Sequence, residues 1–240
     1  MTSPDYALWR QQRAHAVTAP TGNLALVETR WTGAERPDID GERAAAAASV
    51  TITELSRTSL ETGEAEYGLR RWDAESAAIA AFERIDAFPY DPEWVVEGRF
   101  TPVRGQDGGS PRTVPFEHIR DNGGTRDLVV PGDIHVTIGG EDFTVAAFDD
   151  GGALLLVFGD RTNGVETYGP GRFLFVTREA DVAGEPGPVV LDFNRAFVPP
   201  CGFSAQFNCP LPPASNRFPF RIPAGEKNVV FRDGFDIYAA

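Results

Sequence analysis

The last third of the sequence threads charged and amide side chains through prolines and aromatic residues. Its polar members are Asp160, Glu166, Tyr168, Arg172, Asp192, Asn194, Arg195, Asn216, Arg217 and Glu226, and both cysteines, Cys201 and Cys209, lie among them. Burying such groups without hydrogen-bond partners is costly, so they are expected to bond one another or a ligand. The stretch therefore marks where a functional site is expected, although it does not name a reaction.

Two carboxylates open this stretch, in the segment DRTNGVETYG. Asp160 and Glu166 together would suit general acid–base work or a metal ion. In the alternative, Asp160-x-Thr-x-Gly is an Asp-headed turn in which Gly164 supplies a positive φ angle. We favour the turn, because sequence spacing alone does not bring the two carboxylates together.

An arginine and a tyrosine flank the next glycines, in YGPGR. A glycine-rich bend allows close approach of a ligand, and the guanidinium of Arg172 can bind a carboxylate or phosphate through two parallel hydrogen bonds. The alternative is an internal salt bridge between Arg172 and Asp192. The pattern is not a nucleotide loop, because no GxGxxG or GxxxxGK follows a strand and opens a helix.

Asp192 and Asn194 alternate with apolar residues in LDFN, so on a strand they face the same side. That side either lines a pocket or anchors the backbone of the following loop. We interpret Asp192 as a pocket residue and Asn194 as an anchor.

Cys201 and Cys209 have four interpretations. Structural zinc needs about four ligands, and none of the three histidines lies near the cysteines in sequence. A disulfide fits an oxidising compartment better, and a nucleophilic cysteine needs a base, for which His118 or His135 would have to fold nearby. We favour two buried thiols that pack the loop. His135 itself alternates onto a polar strand face and is expected to be exposed to solvent.

Composition limits the partners. The 240-residue chain is 42% hydrophobic and carries a net charge of −13. Phosphate binding relies on Lys and Arg, so neither nucleic acid nor an anionic membrane is an expected partner. No signal peptide or apolar membrane span is apparent, which predicts a cytoplasmic protein, and no cofactor motif is present. The oligomeric state is left open.

The elements that must position these residues are mainly strands. Helices are predicted over 4–17, with Ser3 as cap and Pro4 at the first position, and over 73–84. Residues 32–48 are interpreted as a loop with at most one helical turn, and 105–112 as a flexible loop tip. Strands are predicted over 23–31, 49–55, 65–72, 94–100, 113–119, 127–130, 133–138, 142–148, 153–158, 172–176 and 189–193.

The regular spacing of short strands predicts an antiparallel meander, forming a β-sandwich or open barrel, within one domain that spans residues 1–240. Seven prolines between Pro199 and Pro223 exclude a central strand or helix there. Because six phenylalanines lie between 193 and 220, that segment is expected to be an ordered loop that covers the sheet.

Several elements together resemble the bacterial family known as domain of unknown function 1684. They are Phe158, Asp160-x-Thr162-x-Gly164, Thr167 to Gly169, Gly171-Arg172, Leu191 to Asn194, a proline before Cys201, Cys209-Pro210, Asn216, and Ala224 to Lys227. The resemblance covers the last half of the chain and extends more weakly to residues 70–100. It implies a mostly β protein and no known activity.

From these observations we expect a protein with a polar small-molecule pocket, as an acid–base enzyme acting on an anionic or polar metabolite. The expected catalytic residues are Asp192, Tyr168 and Cys201, and the expected ligand-binding residues are Arg172, Asn194, Asp160, Glu166, Asn216 and Glu226. The alternative is a non-catalytic structural or interaction module, in which the same residues stabilise the fold. A metal site through Asp160, Glu166 and Asp192 is the least favoured interpretation.

Overall fold

The fold is mainly β, as the sequence predicts. A computed structural model describes residues 4–103, 112–178 and 185–239. The predicted cap Ser3 and nearly all of the predicted loop tip 105–112 lie outside these ranges. The helices are α1 (Pro4–Val17), α2 (Ile39–Ala45) and α3 (Ala77–Ala81).

Thirteen strands are present in the described ranges. They are β1 (Leu26–Gly33), β2 (Val50–Thr58), β3 (Ala65–Asp73), β4 (Phe82–Ala87), β5 (Val95–Pro102), β6 (Thr113–Glu117), β7 (Thr125–Val129), β8 (Gly132–Ile138), β9 (Glu141–Asp150), β10 (Ala153–Phe158), β11 (Arg172–Arg178), β12 (Gly187–Asp192) and β13 (Glu226–Phe231).

The contacts divide the chain into two compact units. The first comprises Asp86–Pro199 and Cys209–Asn228 with the start of the chain through Tyr6, and the second comprises Ala7–Ile85, Pro200–Asn208 and Val229–Ala240. The expectation of one domain over residues 1–240 stays a prediction.

A closed six-stranded barrel dominates the first unit. Its strand order is β10-β11-β12-β5-β8-β9, with antiparallel pairing throughout. Of the two expected architectures the chain therefore adopts the barrel, and the barrel is closed, so no edge remains among these strands. Inward positions alternate along β8, where Ile134, Val136 and Ile138 are buried.

Residues from the proline-rich segment contribute to the barrel core. Phe218, Ile222 and Ala224 are buried in the same hydrophobic cluster as the inward side chains of the strands. The ring of Phe218 lies 6.1 Å from that of Phe158 and 6.0 Å from that of Phe193, centre to centre. Between β12 and β13 the chain forms only short 3-10 turns, as the prolines predict.

An antiparallel sheet of three strands, in the order β1-β3-β2, belongs to the second unit. The predicted β2–β3 hairpin is present, with register from Val50↔Asp73 to Thr58↔Ala65. Two smaller sheets pair β6 with β7 and β4 with β13.

The prediction of a helix over 73–84 is wrong for most of its length. Ser76 caps α3 by accepting a hydrogen bond from the backbone N–H of Ile79, but the helix ends at Ala81. Phe82–Ala87 is strand β4, which pairs with β13, a strand the sequence did not predict. Pairing with a distant strand overrides the local helix propensity of this segment. Conversely, the sequence predicts a loop with at most one helical turn over residues 32–48, but residues 39–45 form the seven-residue helix α2, capped by the side chain of Asp38.

Candidate functional site

The loop between β10 and β11, residues 159–171, is called the signature loop here. It begins with an Asp-headed turn, because Asp160 Oδ1 accepts from the backbone N–H of Thr162 at 2.7 Å. Asn163 Oδ1 accepts from the N–H of Asp160 at 2.6 Å. The favoured turn interpretation therefore describes Asp160 correctly, and Gly164 has the expected positive φ of 76°.

The rest of the signature loop is held by its own hydrogen bonds. The carbonyl of Thr162 accepts from the N–H groups of three residues, Val165 to Thr167. The side-chain amide of Asn163 donates to Thr167 Oγ1 and to the carbonyl of Tyr168. These bonds leave the loop little freedom, so its surface is preorganised.

Arg172 lies at the start of β11 and has no exposed surface. Its Nη2 donates to Asp160 Oδ2 at 2.7 Å and to the carbonyl of Ile222 at 2.9 Å, and its Nη1 donates to the carbonyls of Ala224 and Glu226. One interpretation of the sequence is an internal salt bridge between Arg172 and Asp192. A salt bridge is present, but the partner is Asp160, because the turn folds Asp160 back onto β11.

Burial is the main electrostatic influence on this guanidinium. Desolvation lowers the pKa of Arg172, and the adjacent Asp160 carboxylate opposes that change. Arg172 Nε is buried without a hydrogen-bond partner among the described residues, and the guanidinium lies 5.2 Å from the centre of the Phe158 ring. The Arg172–Asp160 ion pair, with the bond from Arg172 to the carbonyl of Ile222, joins the signature loop to the segment before β13.

Three more predicted ligand-binding residues hold backbone instead. Asn216 accepts from the N–H of Ala146 and donates to the carbonyls of Ala146 and Val157, which joins its turn to β9 and β10. Asn194 exchanges two hydrogen bonds with the backbone of Asp91. Glu226 Oε2 accepts from the N–H of Val198 at 2.8 Å.

All three side chains are buried, as is that of Arg172. Direct contact of Arg172, Asn194, Asn216 or Glu226 with a ligand therefore finds no support in the geometry. The anchoring role interpreted for Asn194 matches the contacts that the structure shows.

The remaining predicted site residues each contact different partners. Asp192 Oδ1 accepts from the N–H of Asn194, and its other oxygen lies 3.3 Å from Arg195. Glu166 Oε1 accepts hydrogen bonds from both Nε and Nη2 of Arg221. Tyr168 donates its backbone N–H to the carbonyl of Lys227. Cys201 belongs to the second unit, and both cysteines are buried, as the packing interpretation expects.

The carboxylates expected for the metal interpretation are each joined to an arginine: Asp160 to Arg172, Glu166 to Arg221, and Asp192 to Arg195. In the part of the chain that the structure describes, no three His, Cys, Asp or Glu side chains are grouped to hold a metal ion. The interpretation that Asp160 and Glu166 act as a pair is therefore not supported by their positions.

An open groove of about 470 Å³ lies beside the signature loop. It is lined by Gly159, Asp160, Arg161, Asn163, Gly169, Pro170, Arg217, Phe218 and Pro219. Arg161 donates a long bond of 3.4 Å from Nε to the carbonyl of Pro219, and both arginines are exposed. They bring positive charge to one surface of an otherwise acidic chain.

Sequence reasoning did not select Arg161 or Arg217 as site residues. No local pattern marks them, because each follows a residue whose side chain is buried only in the folded chain, Asp160 or Asn216. Gly159 and Arg217 form a β-bridge, while Arg161 lies in the Asp-headed turn and Asn216 ends a short 3-10 turn.

A second groove, of about 490 Å³, lies on the barrel exterior across β5, β8 and β9. Its polar side chains include Glu97, Arg99, His135 and Asp142, all exposed. His135 Nδ1 lies 3.1 Å from Thr144 Oγ1, on the polar strand face that the sequence predicted for it.

The fold and the signature loop define a class of protein. It is a mainly β chain with a closed antiparallel barrel, and a hydrogen-bonded polar loop is joined to the barrel by the buried Arg172–Asp160 pair. The chain belongs to the family described as Protein of unknown function (DUF1684), whose model matches residues 80–227. Curated proteins give no match.

Among solved structures, the chain is similar to an uncharacterized protein of Haloarcula marismortui determined by solution NMR. The two share 29% sequence identity over 61% of this chain and 77% of that one, with a TM-score of 0.49. Among the described residues, no helix combines the length and apolar character that crossing a membrane requires.

Proposed function

We propose that this protein binds a small anionic metabolite in the groove beside the signature loop, and that Arg161 and Arg217 contact the ligand. The observation that carries the proposal is the placement of these two arginines around one groove of about 470 Å³. Ligand pockets in proteins commonly range from about 300 to 1,000 Å³, so the groove has the size of a metabolite site.

The charges near the groove favour an anion. Asp160 also lines the groove, but its carboxylate is paired with Arg172. Glu166, elsewhere on the same loop, is paired with Arg221. Within the described chain, Arg161 and Arg217 form no ion pair with a carboxylate, so their charge is available to a ligand. Guanidinium groups bind carboxylates and phosphates through paired hydrogen bonds.

In this proposal the buried residues act as a scaffold. Asp160 and Asn163 fix the backbone on one side of the groove, while Asn216 fixes the backbone next to Arg217. A preorganised site loses less conformational entropy when a ligand binds. The roles expected for Arg172 and Asn216 therefore move from ligand contact to support of the residues that make the contact.

We propose binding and assign no catalytic step. Asp192, Tyr168 and Cys201 are not among the described residues that line this groove, so they do not support acid–base chemistry there. A cytoplasmic location, where phosphorylated and carboxylated metabolites are plentiful, is part of the proposal.

Calorimetric titration with citrate and with glucose 6-phosphate tests the proposal and separates a carboxylate from a phosphate ligand. A hydrogen bond to a charged group contributes about 1.5–3 kcal/mol, so Arg217→Ala and Arg161→Ala should each weaken binding about 10- to 100-fold. Arg232→Ala, at an exposed position in the second unit, is the matched control and should bind like the wild type.

The thermal midpoint should stay nearly unchanged in all three variants, because exposed arginines contribute little to stability. Failure of both probes to bind the wild-type protein at millimolar concentration would contradict an anion site. Equal binding by the Arg217→Ala variant would remove that residue from the site.

One observation favours a second candidate, a structural or interaction module. Arg172, Asn194, Asn216 and Glu226 are all buried and all bonded to the fold. If the family pattern only maintains the barrel, substitutions there lower stability, and substitutions of Arg161 and Arg217 change nothing that can be measured.

A further inference from the structure

The second unit contains a small pocket of its own. It has a volume of about 130 Å³, and every residue that lines it belongs to that unit. The lining consists of Leu24, Leu26, Val27, Ser76, Ala77, Ala78, Phe203, Ser204, Ala205, Gln206, Phe235 and Ile237. None of these described residues is charged, and most are apolar.

The two serine hydroxyls of the pocket are already used. Ser76 donates to the carbonyl of Leu24 at 2.7 Å and accepts from the N–H of Ile79. Ser204 donates to the carbonyl of Leu26 at 2.7 Å and accepts from the N–H of Gln206. A hydroxyl has one hydrogen to donate, so neither serine offers a donor to a ligand.

Gln206 is different. Its Oε1 accepts from the backbone N–H of Thr29 at 3.0 Å, which fixes the amide orientation because an N–H group must meet the oxygen. The amide nitrogen, Nε2, carries two hydrogens and donates to no residue in the described part of the chain. It is therefore a side-chain donor without a described protein partner, on a residue that lines a mostly apolar pocket.

We propose that this pocket binds a small uncharged molecule with an apolar body and one carbonyl-type acceptor, which receives a hydrogen bond from Gln206 Nε2. The volume sets the size, because an apolar protein cavity of about 150 Å³ holds benzene. The absence of charge among the lining residues argues against an ionised ligand, whose desolvation nothing would offset. This inference is independent of the proposed anion groove, which lies in the other unit.

Two probes with the same number of non-hydrogen atoms test the proposal: cyclohexanone, which has an acceptor, and toluene, which has none. Both should bind the full-length wild-type protein in a calorimetric titration. For a seven-atom probe, ligand efficiencies of about 0.6–0.8 kcal/mol per atom, within the general range of about 0.3–1.5, correspond to dissociation constants between about 1 and 0.1 mM.

Filling the pocket should abolish binding. Ala78→Leu adds a branched side chain to the pocket wall and should weaken both probes at least about 10-fold, since it removes the space that they occupy. Ala80→Leu is the matched control, because Ala80 is exposed on the same helix and does not line the pocket. It should bind both probes like the wild type.

Removing the amide donor of Gln206 should weaken the binding of cyclohexanone but not that of toluene. In Gln206→Met, cyclohexanone should lose about 3- to 10-fold in affinity, the contribution of one hydrogen bond, while toluene should bind as before. Retained toluene binding also shows that the variant pocket is intact.

The proposal is overturned if neither probe binds the wild-type protein or if Ala78→Leu binds both unchanged. Equal losses for the two probes in Gln206→Met would overturn the role of the donor. Neither result bears on citrate or sugar phosphate binding, which reports on the other unit.

Discussion

Replacing Arg172 by methionine would test how much the buried ion pair contributes to the fold. The substitution keeps a long apolar side chain but removes every hydrogen bond of the guanidinium. Asp160 would remain buried, with only the N–H groups of Thr162 and Ile222 bonded to its carboxylate. The carbonyls that Arg172 now satisfies, including that of Ala224, would lose their donor.

The magnitude follows from the burial of both partners. The side chains of Arg172 and Asp160 are each 0% exposed. Removing one partner of a buried pair typically costs about 3–5 kcal/mol, because the other charge is left without compensation. Protein domains are stable by only about 5–15 kcal/mol, so Arg172→Met should remove a large share of the stability of the barrel.

A matched control is the exposed pair that Glu166, on the same loop, forms with Arg221, which lies outside the loop. Arg221 and Glu166 are also 2.7 Å apart, but their side chains are 56% and 30% exposed. Solvent screening limits such a pair to about 1 kcal/mol or less, so Arg221→Met should be nearly neutral. The two variants separate the effect of burial from that of distance.

Urea denaturation, followed by far-UV circular dichroism and by tryptophan fluorescence, gives the change in the free energy of unfolding. Trp94 reports on the barrel unit, since its ring lies 6.2 Å from that of Phe193. The double variant Asp160→Asn/Arg172→Met should be less destabilised than the sum of the two single variants, because it leaves no buried charge. Additive losses, or a loss for Arg172→Met no larger than for Arg221→Met, would refute the reasoning.

Two further predictions concern single positions. Gly171→Ala should lower the free energy of unfolding by more than about 1 kcal/mol, since φ is 121° and the new Cβ would lie 2.7 Å from the carbonyl oxygen of Phe158. Gly159→Ala is the control, because the nearest atom to its new Cβ lies at 3.4 Å, and it should lower the melting temperature much less than Gly171→Ala does. Burial lowers the pKa of His118 below 6.5, so as the pH falls below that value the unfolded chain binds a proton that the folded chain does not. The free energy of unfolding should therefore fall as the pH falls in this range, and less steeply in His118→Gln; parallel curves for wild type and His118→Gln would contradict this.

Local signals were sufficient for much of the fold. Pro4 at the first helical position and the helix formers after it predict α1, and alternation with a turn between predicts the β2–β3 hairpin. The Asp-headed turn at Asp160 follows from side-chain to backbone bonds over a few residues. The prolines between 199 and 223 exclude helices and central strands because each proline lacks a backbone N–H and has a fixed φ angle.

Other features depend on residues far apart in the chain. Phe82–Ala87 has helix-compatible residues and becomes a strand only because β13 is available to pair with it. The partner of Arg172 is Asp160 and not Asp192, which the folded path of the signature loop decides.

The sequence by itself determined that the chain is mainly β, that it belongs with a known family pattern, and which polar residues are unusual. Only the tertiary structure decided that Arg172, Asn194 and Asn216 are enclosed while Arg161 and Arg217 face a groove. Burial is a property of the packed chain, because it is set by which distant segments cover a side chain. Two neighbouring residues, such as Asn216 and Arg217, can therefore have opposite roles, one in the interior and one at the surface of a groove.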